Sequence, residues 1–288
     1  MDKPRHRPSP ERSGRTVNLL IVLALGALLA SMYAPLLLWL GMAAFSVEQL
    51  HNGGLIVLFA LVISLRRAIR AGPFQPEGNG LGIALVAAAL GCLYLVRWLP
   101  GLALPIALLS FCLAFAGVSA FLFGAAGVRA LLPAMTGILL LGILAGVAPW
   151  LDWPLRAVAA KYSADLLEYL GVDVAVAIQR GSPPELLLFV KDRAFVVAAE
   201  CNGFGLISSS LLVAGILGFH YRIPWHAKLA LLVFALSLAV LFNALRIVAI
   251  SLAATHLPLP YMLMHEGIGL FFYAAALLLL WWLASGRE

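Results

Sequence analysis

The chain has 288 residues, of which 63% are hydrophobic and 11% charged, with a mean hydropathy of +1.02. A soluble domain usually carries roughly a quarter charged residues, so this composition excludes a soluble globular protein and indicates that lipid surrounds most of the chain. The net charge is +6, but the basic residues form short clusters between apolar runs, which is typical of membrane topology and argues against nucleic-acid binding.

Eight apolar stretches approach the length of about 20 residues that crosses a bilayer as a helix. In chain order they are 17–37, 48–65, 81–99, 101–123, 131–150, 203–219, 229–252 and 266–284. The first is too long for a signal-peptide core, which predicts a membrane helix there. The predicted fold class is therefore an all-α polytopic membrane protein with about eight transmembrane helices, forming a single membrane domain over residues 1–288.

Lysine and arginine predict the orientation of these helices, because cytoplasmic loops carry an excess of both. When the helices alternate in direction, the clusters fall on one side: Lys3, Arg5, Arg7, Arg12, Arg15, Arg66, Arg67, Arg70, Arg129, Arg222, Lys228 and Arg287. We therefore expect an inner-membrane protein with both termini in the cytoplasm.

Residues 151–202 form the longest segment that this topology places outside. The segment opens with apolar residues at i+3 and i+4 spacing from Trp153 to Tyr169, which predicts an amphipathic helix. Two β-rich stretches, 172–179 and 185–199, follow. We expect a small extracytoplasmic α+β cap of one helix and two or three strands.

A polar group, E-C-N-G-F-G, lies where this cap re-enters the membrane, at residues 200–205. Asn202 is a good N-cap residue, so Cys201 would lie beside a helix N-terminus whose partial positive charge favours a thiolate. Gly203 and Gly205 leave backbone N–H groups uncovered, where an oxyanion could bind. The alternative is a capped helix start with an incidental cysteine next to Glu200.

A second polar group, Asn243 and Arg246, lies near the outer end of the seventh span. The two residues are three apart and share a helix face. Arginine keeps its charge, so at this depth it needs an anionic partner or an aqueous pocket. The alternative is an arginine whose side chain reaches the outer headgroups.

Histidines provide the third polar group. His265 opens the last span and could act as a general acid or base. His256 in the preceding loop competes for that role, and an interfacial histidine is the plainer interpretation. His51 also faces outward and is a candidate lining residue.

Together these groups bring a cysteine, an arginine and a histidine from three spans to one membrane face. Cysteine nucleophiles need a base to take the thiol proton and a cation to hold negative charge. Cys92 and Cys112 lie within apolar spans, where a small buried hydrophobe is the simplest interpretation. Neither a C-x-x-C spacing nor a phosphate-binding loop occurs, so we expect neither a metal nor a cofactor.

Three motifs in this order, A-E-C-N-G-F-G, N-A-L-R and H-E-G-I-G, are similar to those of the exosortase/archaeosortase family of membrane cysteine transpeptidases. The stretch F-G-A-A-G-V-R-A-L-L-P also looks similar to that family, and E-Q-L-H-N-G-G resembles one of its elements more weakly. One departure is that Asn202 stands where the family usually has serine.

The resemblance implies a membrane-embedded cysteine protease or transpeptidase. Cys201 would attack a peptide carbonyl, His265 would transfer protons, and Arg246 would hold negative charge. The supporting or substrate-binding residues would be Asn202, Gly203, Asn243 (orienting Arg246), Glu200 and His51. The family's substrates are exported proteins whose C-terminal tail has a short motif, a membrane helix and a basic cluster, and such systems often accompany exopolysaccharide production.

Two other classes of function stay open from the sequence. One is a non-catalytic transporter or assembly factor for polysaccharide or lipid, in which Arg246 binds an anionic headgroup or sugar. The other is a membrane acyl- or glycosyltransferase that uses Cys201 or His265 on a lipid-linked substrate. Membrane lipid is a partner in all three readings, and nucleic acid in none.

Overall fold

A computed structural model describes residues 10–71, 80–181, 184–191, 193–257 and 260–286, and the side chains in these ranges except those of 10–19, 71 and 261. The described chain is mostly helical. Its helices are α1 (Pro10–Met32), α2 (Ala34–Ser46), α3 (Glu48–Ala71), α4 (Gly80–Val96), α5 (Ala103–Tyr169), α6 (Phe204–His220), α7 (Trp225–His256) and α8 (Tyr261–Ser285). Lys3, Arg5, Arg7 and Arg287, on which the orientation partly depends, lie outside the described residues.

The described helices make this a multi-pass membrane protein. Five segments are long and apolar enough to cross a bilayer: Glu48–Arg70, Pro100–Tyr169, Ala199–His220, Trp225–His256 and Met262–Ser285. Leu20–Met32 and Ala34–Ser46 would make a sixth span, bent by 78°. Helix α4 is apolar but shorter than these. Five or six spans are thus supported, and the count of eight stays a prediction.

Helix α5 holds three of the predicted elements in one run. It covers the predicted fourth and fifth spans and the predicted amphipathic helix, with a single non-helical residue, Gly124 (φ 63°, ψ −166°). The positive φ suits glycine, and it divides α5 at a kink. The portion after Gly124 is far longer than the ~20 residues that cross a bilayer, so the amphipathic stretch prolongs a membrane helix and does not form a separate one.

The chain divides into two compact units. The first comprises the residues up to Trp39 and Ile63–Leu131. Within it, the Tyr33 hydroxyl hydrogen-bonds to Ser110 Oγ at 2.6 Å, and Ser110 Oγ donates to the Ala89 carbonyl at 2.7 Å. Gly82 and Gly117 bring α4 and α5 so close that a Cβ on either would lie within 3 Å of the other's carbonyl oxygen. Small residues thus permit close helix packing here.

The second unit comprises Leu40–Val62 and the chain from Leu132 onward. Helices α6, α7 and α8 all pack against one another in it. Their shared core is aliphatic and includes Leu206, Ala235, Leu238, Ala276 and Leu280. This three-helix arrangement places the start of α6, the middle of α7 and the start of α8 near one another.

A three-stranded antiparallel sheet lies between α5 and α6 in the chain, with strand order β1 (Val174–Gln179), β2 (Glu185–Val190), β3 (Arg193–Val196). Val174 pairs with Val190, and Leu187 pairs with Val196. Alternate side chains of the central strand β2 are buried, as a sheet with one covered face requires. They pack with Leu167 of α5 and Ile247 of α7. The predicted helix-and-strand composition of 151–202 therefore exists, while its position outside the membrane stays a prediction.

Candidate active site

Cys201 ends a short 3₁₀ turn, Ala199–Cys201, that precedes α6. This turn and its cap residue, Asn202, form the cysteine turn. The turn is closed by the Cys201 N–H donating to the Ala198 carbonyl at 3.0 Å. Helix α6 begins at Phe204, so Gly203, with φ of 79°, holds the cap position. The predicted N-cap, Asn202, lies one residue earlier, but its Oδ1 still accepts the Phe204 N–H at 2.7 Å. The prediction is therefore wrong in position by one residue and right about the hydrogen bond.

Cys201, Arg246 and His265 lie together, although they come from the turn before α6, from α7 and from α8. Cys201 Sγ is 3.9 Å from His265 Nε2, and Arg246 Nη2 is 3.1 Å from the same nitrogen. All three side chains are half-buried. Arg246 Nη1 also approaches the Glu200 carbonyl at 3.5 Å. The thiol, the imidazole and the guanidinium thus share one small volume.

The contact with Arg246 indicates which nitrogen of the His265 ring carries the proton. A guanidinium only donates hydrogen bonds, so His265 Nε2 must accept in this contact, and the ring is then neutral with its proton on Nδ1. The nitrogen that faces the thiol therefore carries a lone pair, which can receive the thiol proton. Arg246 Nε is buried and has no hydrogen-bond partner among the described residues, so it is an unused donor in the site.

Asn243 takes a different position from the expected one. Its Nδ2 donates to the Cys201 carbonyl at 3.0 Å, and its side chain is 3% exposed. It therefore holds the backbone of the cysteine turn, and its role in orienting Arg246 stays a prediction. A Cβ on Gly203 would lie 2.7 Å from Asn243 Cγ, so the bare backbone of glycine permits this approach.

Two cavities of about 620 and 240 Å³ meet at these residues. Cys201 lines the larger, together with apolar side chains such as Val196, Met262 and Leu270. Gln49, Asn52, Gly203 and Gly205 line the smaller and more polar one. Six residues line both: Glu48, Glu200, Arg246, His265, Gly269 and Tyr273. The predicted residues Glu200 and Gly203 are thus at the site.

The α8 lining follows one helix face. Met262, His265, Glu266, Gly269, Leu270 and Tyr273 recur at three- and four-residue intervals. Of these residues, only His265 was predicted as a site residue, although this spacing could have indicated Gly269 and Tyr273, one and two turns further on. The competing histidine, His256, instead bonds Thr255 and the Leu252 carbonyl at the end of α7 and lines neither cavity.

His51 also lies away from both cavities, contrary to its predicted place. It is exposed, and its ring packs edge-on against Phe45 at 5.6 Å. Its neighbours Glu48, Gln49 and Asn52 line the site instead. On a helix of 3.6 residues per turn these three fall within an arc of about 100°, with His51 outside it. The periodicity of α3 could have made this distinction.

Asn202 is 3% exposed and lines neither cavity. Its amide nitrogen donates to Asp152 Oδ1 at 2.7 Å and to Gln49 Oε1 at 3.4 Å. Gln49 Nε2 in turn donates to the Ala199 carbonyl at 2.8 Å. Neither partner of Asn202 was predicted from the sequence, because both are distant along the chain. Asp152 precedes Asn202 by 50 residues, and Gln49 precedes it by 153.

The fold and this site define a multi-pass membrane protein with a cysteine, a histidine and an arginine in contact at one cavity. The chain belongs to the transmembrane exosortase family (Exosortase_EpsH), whose family model matches residues 44–282. The match covers Cys201, Arg246 and His265, and it confirms the family resemblance. Searches of curated proteins and of solved structures gave no match.

Proposed function

We propose that this exosortase is a membrane cysteine transpeptidase or protease that cleaves the C-terminal sorting tail of exported proteins through a thioester acyl-enzyme. The single observation that carries the proposal is the convergence on His265 Nε2 of Cys201 Sγ, at 3.9 Å, and of Arg246 Nη2, at 3.1 Å. Family membership supports the same chemistry.

Acylation begins when Cys201 Sγ attacks the carbonyl carbon of the scissile peptide bond. The thiol proton passes to His265 Nε2, and the carbonyl oxygen becomes an oxyanion. The tetrahedral intermediate collapses, the C–N bond breaks, and the leaving amine takes the proton from His265. The distance of 3.9 Å from Cys201 Sγ to His265 Nε2 is long for a direct hydrogen bond, as is common in an active site without substrate. A small side-chain rotation must shorten it in the substrate complex.

Deacylation reverses these roles at the same atoms. An acceptor nucleophile gives its proton to His265 Nε2 and attacks the thioester carbon. The C–S bond breaks, and the thiolate recovers the proton from the imidazolium. Transfer to an acceptor and hydrolysis differ only in whether that nucleophile is an acceptor group or water.

Arg246 stabilises the negative charge that forms at each step, on the thiolate or on the oxyanion. Its Nε donor is buried and unpartnered among the described residues, so it becomes available to an oxyanion when the guanidinium moves. In the resting site the guanidinium bonds to His265 Nε2, and it must release that nitrogen before the proton can transfer.

The topological part of the proposal follows the lysine and arginine distribution. The chain forms one membrane domain of about eight spans in the bacterial inner membrane, with both termini cytoplasmic. The site and the cap over residues 151–202 lie on the extracytoplasmic side, where exported substrates arrive. A link to exopolysaccharide export is part of this proposal.

The test is co-expression with candidate proteins whose tails combine a short motif, a membrane helix and a basic end, followed by gel shift and mass spectrometry. We expect cleavage by the native chain and none by Cys201→Ala, with Cys112→Ala as the matched control, because Cys112 lies outside the site. His265→Ala should also abolish cleavage, and His256→Ala should preserve it.

Normal maturation of substrate by Cys201→Ala would refute the mechanism. If the native chain cleaves none of several plausible tails, the lipid-linked transferase and the non-catalytic transporter become the better hypotheses. Those two differ in whether alkylation of Cys201 abolishes the activity.

A further inference from the structure

Asp152 of α5 contacts the cysteine turn from outside the cavities. Its Oδ1 accepts the Asn202 amide at 2.7 Å, and its two oxygens also accept Arg156 Nε at 3.1 Å and Nη2 at 2.6 Å. Asp152 lines neither cavity. The carboxylate is therefore held by Arg156, one turn along the same helix, and presents one oxygen to the residue after Cys201.

Asn202 has no hydrogen-bonding capacity left for a substrate through its amide nitrogen. An asparagine amide has two N–H donors, and they meet Asp152 and Gln49. Its Oδ1 accepts the first N–H of α6. Because Asn202 is also 3% exposed, it cannot take part in the chemistry and can only hold the backbone.

The cysteine turn is consequently fixed on three sides. Gln49 holds the Ala199 carbonyl, Asn243 holds the Cys201 carbonyl, and Asp152 holds the Asn202 side chain. The Asp152 contact is the one that includes a carboxylate, and hydrogen bonds to ionised groups are roughly twice as strong as neutral ones.

We propose that Asp152 is a positioning residue for Cys201 and acts through Asn202. The pair fixes the turn, and the turn sets the distance from Cys201 Sγ to His265 Nε2. The inference rests on the proposed function for its catalytic consequence, since proton transfer from the thiol to His265 is the step that depends on this distance. Misplacing a reacting group by about 1 Å can cost roughly 10²-fold in rate.

The test measures the coupling between Cys201 and His265 directly. In a full-length Cys92→Ala/Cys112→Ala background, Cys201 is the remaining cysteine, and its alkylation rate by iodoacetamide is followed in native membranes. His265→Ala should lower this rate about tenfold, a modest share of a general base's usual contribution. In Asp152→Ala, the additional His265→Ala change should alter it less than about twofold.

The chain supplies a matched control in the same helix. Asp165 accepts Lys161 Nζ at 2.9 Å across the same four-residue spacing that separates Asp152 from Arg156. Asp165→Ala removes a more exposed ion pair of the same spacing away from the site, so the tenfold effect of His265→Ala should persist in it. Membrane accumulation and gel-filtration profile identify any variant that fails to fold.

A second variant keeps the test decisive if Asp152→Ala does not fold. Asn202→Asp places a second carboxylate against that of Asp152, so it should lose the coupling between Cys201 and His265. The double variant Asp152→Asn/Asn202→Asp restores one donor and one acceptor, with the donor now at position 152. We expect the double exchange to recover at least about a third of the native His265 effect.

A full tenfold effect of His265→Ala in folded Asp152→Ala or Asn202→Asp would overturn the inference and leave the proposed function standing. No effect of His265→Ala in the native background would instead overturn the proposed function.

Discussion

Substitution of Gly269 in α8 by alanine should displace the Arg246 side chain by a small distance without changing any charged group. A Cβ at this position would lie 3.1 Å from Arg246 Nε, 3.2 Å from Nη2 and 3.3 Å from Cζ. Ordinary contacts between non-bonded heavy atoms are about 3.5–4.0 Å. In Gly269→Ala the guanidinium must therefore move by roughly 0.3–0.5 Å, and it can do so because it ends a flexible side chain.

This displacement should reduce turnover without unfolding the protein. If about 1 Å of misplacement costs roughly 10²-fold, a shift of a few tenths of an ångström should cost about 3- to 10-fold. That loss is about 1 kcal/mol of transition-state stabilisation. The assay is the rate of tail cleavage at saturating substrate, normalised to the amount of enzyme in the membrane.

Gly267→Ala is the matched control for this prediction. Gly267 lies in the same helix, and a Cβ there would meet nothing within 4 Å. Both substitutions raise helix propensity equally, by about 1 kcal/mol, so this term cancels in the comparison. Equal turnover in the two variants would refute the inference that turnover depends on where the Arg246 guanidinium lies against Gly269.

Three further predictions concern the cysteine turn and the guanidinium. Gly203→Ala and Gly171→Ala both place a side chain at positive φ, at a cost of about 1–2 kcal/mol, but Gly203→Ala also clashes with Asn243 and should show the larger loss of thermal stability in detergent. Asn243→Ala and Asn243→Asp both remove the donor to the Cys201 carbonyl and should each destabilise the protein by about 1–3 kcal/mol; a native-like Asn243→Asp in the same thermal assay would contradict this account. Arg246→Lys keeps the charge but loses the planar fork, and we expect a drop of about 10²–10³-fold in cleavage rate, with unchanged cleavage counting against oxyanion stabilisation.

The sequence predicted best where the signal was local or compositional. Runs of apolar residues defined α6, α7 and α8 because lipid-facing helices must be apolar along their whole length. Alternating β-branched residues marked β1, and three motifs in order led to the family that the comparison confirms. The prediction failed at boundaries: nothing near Gly124 or Trp153 showed that 103–169 would form one helix with a single break.

Local sequence likewise predicted some residues of the candidate site and not others. Cys201, Arg246 and His265 were selected from their own sequence neighbourhoods, since polar groups in apolar helices are costly and stand out. Their catalytic roles stay predictions until the substitutions are made. His51 was predicted to line the site, yet Gln49 and Asn52 line the cavity, because the direction of each side chain around α3 decides which of them reaches it.

The sequence by itself determined that this chain is a membrane protein and which family it belongs to, and it predicted which side chains are the candidates for catalysis. Each of these follows from residue identity and short spacing, which are properties of a one-dimensional chain. Only the tertiary structure decided that Asp152 holds Asn202, that Asn243 holds the Cys201 carbonyl and that Gly269 borders Arg246. Those contacts join residues 23 to 50 positions apart, and such pairings exist only once helices have packed side by side.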